Sequence, residues 1–250
     1  MKVITVNDYA DMSKKAANMI LERVHYSKKL TLGLATGGTP VGTYEHLIKD
    51  HKENKTSYQH VTSFNLDEYV GLDPSDRNSY HYYMNEHLFN HIDIPEQQTH
   101  IPNGIAENVQ QECNDYDQKI MECDGIDLQL LGLGHNGHIG FNEPGTSFET
   151  TTHVVSLTKA TREANARFFN SFDEVPTQAI TMGIQTIMKS KEILLLVSGK
   201  KKSSALARLV NGEMDTTFPA SILNKHANVT IVADHDALQE VDEKLYSMTK

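Results

Sequence analysis

The sequence predicts an α/β fold in which a mainly parallel sheet is covered by helices on both faces. Three observations carry this. Short, near-continuous apolar runs of strand length alternate with longer amphipathic stretches along the chain. The runs lack the in–out alternation of a half-exposed sheet, which means that both of their faces are buried. Most of them end in a loop rich in glycine or polar residues, after which a helical pattern begins.

Residues 7–26 place Tyr9, Met12, Ala16, Met19, Ile20 and Val24 at helical spacing. Leu30 to Ala35 reads as a strand, and a glycine turn leads from it into a helix over Val41 to Lys49. Val61 to Leu66 is a second strand, and Ser79 suits the cap of a helix running through Met84 and Leu88. Glu107 to Glu122 is a helix with a polar outer face, followed by a buried strand over Ile126 to Leu133. Thr161 to Phe169 reads as helix, Ile193 to Val197 as strand and Ser203 to Val210 as helix. Val229 to Val232 is a late strand, and a closing helix is expected over Asp236 to Met248. No fixed-period repeat or linker interrupts the chain, so residues 1–250 are read as a single domain.

With 250 residues, 38% apolar and 22% charged, the composition is globular. A net charge of -10 without a basic stripe disfavours nucleic acid as a partner, because that partner demands dense positive charge. A local anion site is still compatible with it. The longest apolar run, Ile193 to Val197, falls far short of the ~20 residues of a membrane helix. The opening stretch, Met1 to Asp8, lacks the apolar core of a signal peptide. Cys113 and Cys123 are too few for a disulfide framework. The expectation is a cytoplasmic protein with no membrane partner. A homo-oligomer is left open, since interface and core share one pattern.

In such sheets ligands bind beyond the carboxyl ends of the strands, so the loops there are the places to look. Thr36-Gly37-Gly38-Thr39-Pro40 combines two glycines with two hydroxyls ahead of a helix, which suits a phosphate cradle or an ordinary strand-to-helix turn. Asn65-Leu66-Asp67-Glu68-Tyr69 puts adjacent carboxylates at a strand end, as a buried general base or as a solvated acidic turn. Gly132 to Pro144 holds His135, Asn136, His138 and Glu143 in a glycine-rich loop. A histidine beside a carboxylate suits proton transfer near neutral pH. His138 fits that role better than His135. The spacing differs from the helical zinc signature and no cysteine is near, so no metal is expected. Arg167, beside an apolar helical stretch, and one lysine of Lys200-Lys201-Lys202 suit an anion.

Taken together, the motifs resemble the glucosamine-6-phosphate deaminase family. The resemblance is carried by Leu32 to Pro40, Phe64 to Gly71, Gly137 to Pro144, Thr161-Arg162 through Ala166-Arg167-Phe168-Phe169, and Thr181 to Ile184. It implies a Rossmann-like three-layer sandwich and conversion of glucosamine 6-phosphate and water to fructose 6-phosphate and ammonia, with no cofactor. By motif position it implies Asp67 as the enolising base and His138 as the ring-opening group. Glu143 and Asn136 would orient or assist His138. Thr36, Gly37, Gly38, Thr39, Arg167 and Lys202 would contact the phosphate.

Two departures matter. Some members carry aspartate where this chain has Asn136, so Glu143 is left as the main charge partner of His138. Members activated by N-acetylglucosamine 6-phosphate carry basic residues where this chain has His153 and Val155, so activation is expected to be absent or weak. The nearest rivals are a 6-phosphogluconolactonase or another sugar-phosphate isomerase on the same fold, and a sugar-phosphate sensor domain of a regulator. The lactonase and isomerase would not need Asp67, His138 and Glu143 together, and the sensor would need a DNA-binding module.

Overall fold

The computed structural model describes residues 1–166 and 169–242, apart from the side chains of Ala160 and Ala164. Seven strands form an all-parallel sheet in the order β1 (Lys2–Val6), β10 (Val229–Asp234), β9 (Glu192–Val197), β6 (Leu128–Gly132), β2 (Leu30–Leu34), β3 (Val61–Asn65), β5 (Thr99–His100). The strands divide their side chains between two cores. On β9, Leu194 and Leu196 join one core, while Ile193, Leu195 and Val197 join the other. That division is why the strand reads as unbroken apolar sequence.

One core lies under α1 (Tyr9–Tyr26), α2 (Val41–Asn54) and α3 (Tyr80–His87); the other lies under α4 (Val109–Glu122), α6 (Ile184–Met188) and α7 (Ser203–Asn211). Helix α1 starts where Asp8 accepts from the Asp11 N–H at 2.9 Å, and Met12, Ala16, Ile20 and Val24 form its buried stripe. The expected Ser79 cap of α3 is present, accepting from the Tyr82 N–H at 3.0 Å. The result is the helix-covered, mainly parallel α/β sandwich that the sequence predicts.

The chain order reverses between β2 and β6. From β2 it proceeds through β3 to β5 at one edge, and from β6 through β9 and β10 toward the other. The turns that follow β2 and β6 therefore flank a crevice at the switch point, where open α/β sheets bind ligands.

A second sheet departs from the sequence reading. Strands β4 (Asp67–Tyr69), β8 (Gln178–Thr181) and β7 (His153–Ser156) pair antiparallel, with Asp67 opposite Thr181 and Thr181 opposite His153. The acidic stretch after β3 is thus a buried strand and not a turn. Strand β1 was also not read as a strand from the sequence. Helix α5 (Lys159–Asn165) begins earlier than expected, and α2 runs five residues past Lys49. Where the closing helix was expected, residues 236–240 form turns, and residues 243–250 lie outside the described residues. Among the described residues no helix is long and apolar enough to cross a membrane.

Candidate active site

A cavity of about 460 Å³ opens at the switch point. Thr36, Gly37, Gly38, Thr39, Asp67, Asn136, His138, Glu143 and Lys202 all line it. Four separate strand ends thus deliver the expected residues to one hollow. Arg167 lies outside the described residues. A larger hollow of about 980 Å³ adjoins it behind Gly37, Gly38, Tyr80 and Asn165, but none of the acid–base groups line that one.

The glycine turn is clasped from behind. The Tyr83 hydroxyl donates to Gly37 O at 2.6 Å, and the Tyr9 hydroxyl donates to Gly38 O at 3.1 Å while accepting from the Gly42 N–H at 2.9 Å. In a trans peptide the N–H points opposite to the carbonyl. The Gly38 and Thr39 N–H groups therefore point away from the tyrosines, and neither has a partner among the described residues. Paired, unpartnered backbone donors ahead of a helix suit an anion. Lys202 follows Gly199, whose N–H is held by Asp234 at 3.0 Å, and its ammonium reaches into the cavity wall to donate to Leu133 O at 2.6 Å. Burial lowers the pKa of this lysine.

The two adjacent acids take different roles. Glu68 is 1% exposed, and its oxygens accept from the Tyr69 and Tyr80 N–H groups at 2.8 and 3.0 Å and from the His81 N–H and Nδ1 at 3.0 Å each. It is a carboxylate seated on the N-terminus of α3. Asp67, 6% exposed, faces the cavity and has no hydrogen-bond partner among the described residues. Burial raises its pKa to about 8, with the nearby charge of Glu68 adding to the effect. Desolvated carboxylates that are not paired favour the protonated form and are strong bases when ionised.

His138 belongs to a hydrogen-bonded set whose directions are fixed by its acceptor-only member. The Asn136 Nδ2 donates to Glu143 Oε2 at 2.7 Å, which turns the Asn136 Oδ1 toward His138 Nδ1, 2.7 Å away. Nδ1 must carry the proton, so Nε2 is the free, basic nitrogen. Glu143 Oε1 sits 3.9 Å from Nδ1, near enough for charge and too far for a hydrogen bond. Burial lowers the His138 pKa, and the Glu143 charge opposes it. The imidazole is accordingly neutral at physiological pH. Asn136 thus orients His138, and the acid next along, Glu143, supplies the charge.

Two glycines make this loop buildable. Gly137 and Gly140 have φ of +84° and +57°. A Cβ on Gly137 would lie 2.3 Å from the Phe218 ring, and one on Gly140 would lie 2.9 Å from Thr181 Oγ1. Sequence reasoning assigned no role to Thr158, Thr161, Asn165 or Tyr80, all of which line the cavity. Helical periodicity shows which residues of a helix are buried, not which of its hydroxyls meets an acid elsewhere in the chain. No group of three or more His, Cys, Asp or Glu among the described residues is placed to hold a metal ion.

Residues 7–232 match the family described as glucosamine-6-phosphate isomerases/6-phosphogluconolactonase. The chain belongs to this family. The glucosamine-6-phosphate deaminase of Halalkalibacterium halodurans is 59% identical over 96% of this chain and 98% of its own length. That of Oceanobacillus iheyensis is 56% identical over the whole of both chains. A solved structure described as a monomeric glucosamine-6-phosphate deaminase superposes with a TM-score of 0.94 at 50% identity, covering 96% of this chain and all of that one. The 6-phosphogluconolactonase of Thermotoga maritima gives a TM-score of 0.73 at 22% identity over 93% of this chain and 98% of its own, and shares the fold alone.

Proposed function

We propose that this chain is a glucosamine-6-phosphate deaminase of the cytoplasm, a hydrolase that converts glucosamine 6-phosphate and water to fructose 6-phosphate and ammonia. The observation that carries the reading is that an unpaired buried carboxyl, Asp67, and a neutral imidazole, His138, face one cavity with an anion-suited turn in its wall. The deaminases at 56–59% identity over nearly their full lengths support the choice of reaction.

The chemistry follows from those groups. The phosphate sits on the Gly38 and Thr39 N–H groups with Lys202 beside it, and its binding energy anchors the sugar away from the reacting carbons. His138 Nε2 takes the proton of the carbon-1 hydroxyl and returns it to the ring oxygen, so the ring opens to an aldehyde. Asp67, ionised, removes the proton from carbon 2 while the substrate's ammonium group gives one to the carbon-1 oxygen, so that an enolamine with a carbon-1 hydroxyl forms. The enolamine collapses as Asp67 returns that proton to carbon 1, leaving an iminium at carbon 2. Water adds there, and ammonia departs to leave the ketose. Each positioned proton transfer is typically worth about 10²–10⁴-fold. No step requires a metal or redox cofactor.

The test is direct. Purified protein given glucosamine 6-phosphate should release ammonia and form fructose 6-phosphate in equal amounts. Hydrolysis of 6-phosphogluconolactone without ammonia release would instead support the lactonase reading, which needs no base at carbon 2.

A further inference from the structure

We propose that Thr161, on the first turn of α5, is a positioning residue that holds Glu143 in register with the Asn136–His138 pair, so that the seating of α5 sets the acid–base group. This rests on the functional reading above.

Donors and acceptors fix the direction of each hydrogen bond around Glu143. Thr161 Oγ1 lies 2.8 Å from Glu143 Oε1. An ionised carboxylate can only accept, so the single hydroxyl hydrogen of Thr161 is committed to it. Thr158 Oγ1 lies 2.9 Å from Thr161 Oγ1 and must therefore donate to it, while accepting from the Thr161 N–H at 3.1 Å as the cap of α5. On the far side, Asn136 Nδ2 donates to the other Glu143 oxygen, and Asn136 Oδ1 accepts from His138 Nδ1. The chain of hydrogen bonds runs unbroken from the start of α5 to the imidazole.

Glu143 is held by these two neutral donors, one on each oxygen. Its side chain is 18% exposed, and its one ion pair among the described residues is the 3.9 Å approach to His138. No lysine or arginine among the described residues pairs with it. Loss of the Thr161 hydroxyl would leave the carboxylate hinged on Asn136 alone and free to rotate away from the geometry that orients the histidine. Helix α5 is fastened on its other side as well: Arg162 donates to Phe172 O and Val175 O and lies over the Phe172 ring at 4.3 Å. The helix therefore has a fixed seat, and Thr161 is the contact through which that seat is felt at the carboxylate.

The test measures ammonia release by wild type, Thr161→Val, Thr161→Ser, Glu143→Ala and the Thr161→Val/Glu143→Ala double variant. Valine is nearly isosteric with threonine, and Thr161→Ala serves should the valine variant fail to fold. The valine variant should lose about tenfold in kcat, with KM within about twofold, because the group acts on orientation and not on anchoring. Serine, which keeps the hydroxyl, should restore kcat to within about threefold of wild type. On the Glu143→Ala background the valine change should cost nothing further, because the partner through which it acts is gone. A wild-type kcat in Thr161→Val, a serine variant as slow as the valine one, or a full additional loss on the Glu143→Ala background would each overturn the inference while leaving the deaminase reading intact. A wild type that releases no ammonia would overturn that reading, and this inference with it.

Discussion

At the residue scale, the site turns on two acids that are neighbours in sequence and opposites in environment. Glu68 spends its oxygens on the start of α3, whereas Asp67 is buried without a partner, and its pKa stands near 8. A carboxyl whose folded pKa lies above its ordinary 3.8 binds its proton more tightly in the folded state. Its burial is tolerated fully below about pH 4, and the advantage is lost as pH rises toward 8. Asp67→Asn should therefore unfold at a higher temperature than wild type, by a margin that grows across that window to the order of a few kcal/mol. Thermal melts at a series of pH values check it, and a margin that shrinks with pH would be the contrary result. The same variant should no longer exchange the carbon-2 proton. In the wild type kcat/KM should rise with pH to a plateau above about 8, as the base ionises. Glu68→Gln removes the neighbouring charge, so that rise should move to lower pH. Which acid faces the cavity was not legible from composition or spacing; the pair reads equally well as a solvated turn. The difference lies in the α3 N-terminus, which reaches Glu68 from twelve residues along the chain.

At the scale of elements, the long apolar strands and capped helices were legible because burial on both faces of a sheet and a Ser, Asp or Asn at a helix start leave local marks. The small antiparallel sheet was not. Strands β4, β7 and β8 are three or four residues long and polar in part, and they exist through pairings distant in sequence, with Asp67 and His153 both set against Thr181. Strand β1 gives a similarly short signal at an edge. The sheet matters to the site, because Asp67 pairs with Thr181, whose hydroxyl accepts from the Phe141 N–H at 3.1 Å in the histidine loop. Base and histidine loop thus share one backstop. Gly140→Ala would press a methyl to 2.9 Å from that hydroxyl, in a left-handed conformation that costs a non-glycine residue roughly 1–2 kcal/mol. The expected outcome is a melting temperature lowered by several degrees and a kcat lowered more than tenfold. A variant that loses stability but keeps its turnover would show that the two loops are not coupled through Thr181.

At the scale of the whole molecule, the sheet's switch point between β2 and β6 gathers turns from four strands onto one hollow, and the strand–turn–helix order made that location readable before any geometry. The positions where activated relatives are expected to be basic hold His153 and Val155 on β7. Velocity should therefore follow a hyperbola in substrate, unchanged by N-acetylglucosamine 6-phosphate; a sigmoid abolished by that compound would refute this. The tyrosine clasp on the glycine turn has a consequence of its own. Tyr9 comes from α1 and Tyr83 from α3, so two helices rooted in the core hold the turn's carbonyls away from the solvent side of the hollow. On the proposed reading, a phosphate arriving there would meet amides already aimed, and little chain freedom would remain to be surrendered on contact. Recognition of the tail, on that same reading, draws mostly on the folding of the first ninety residues, with Lys202 added from a later strand end.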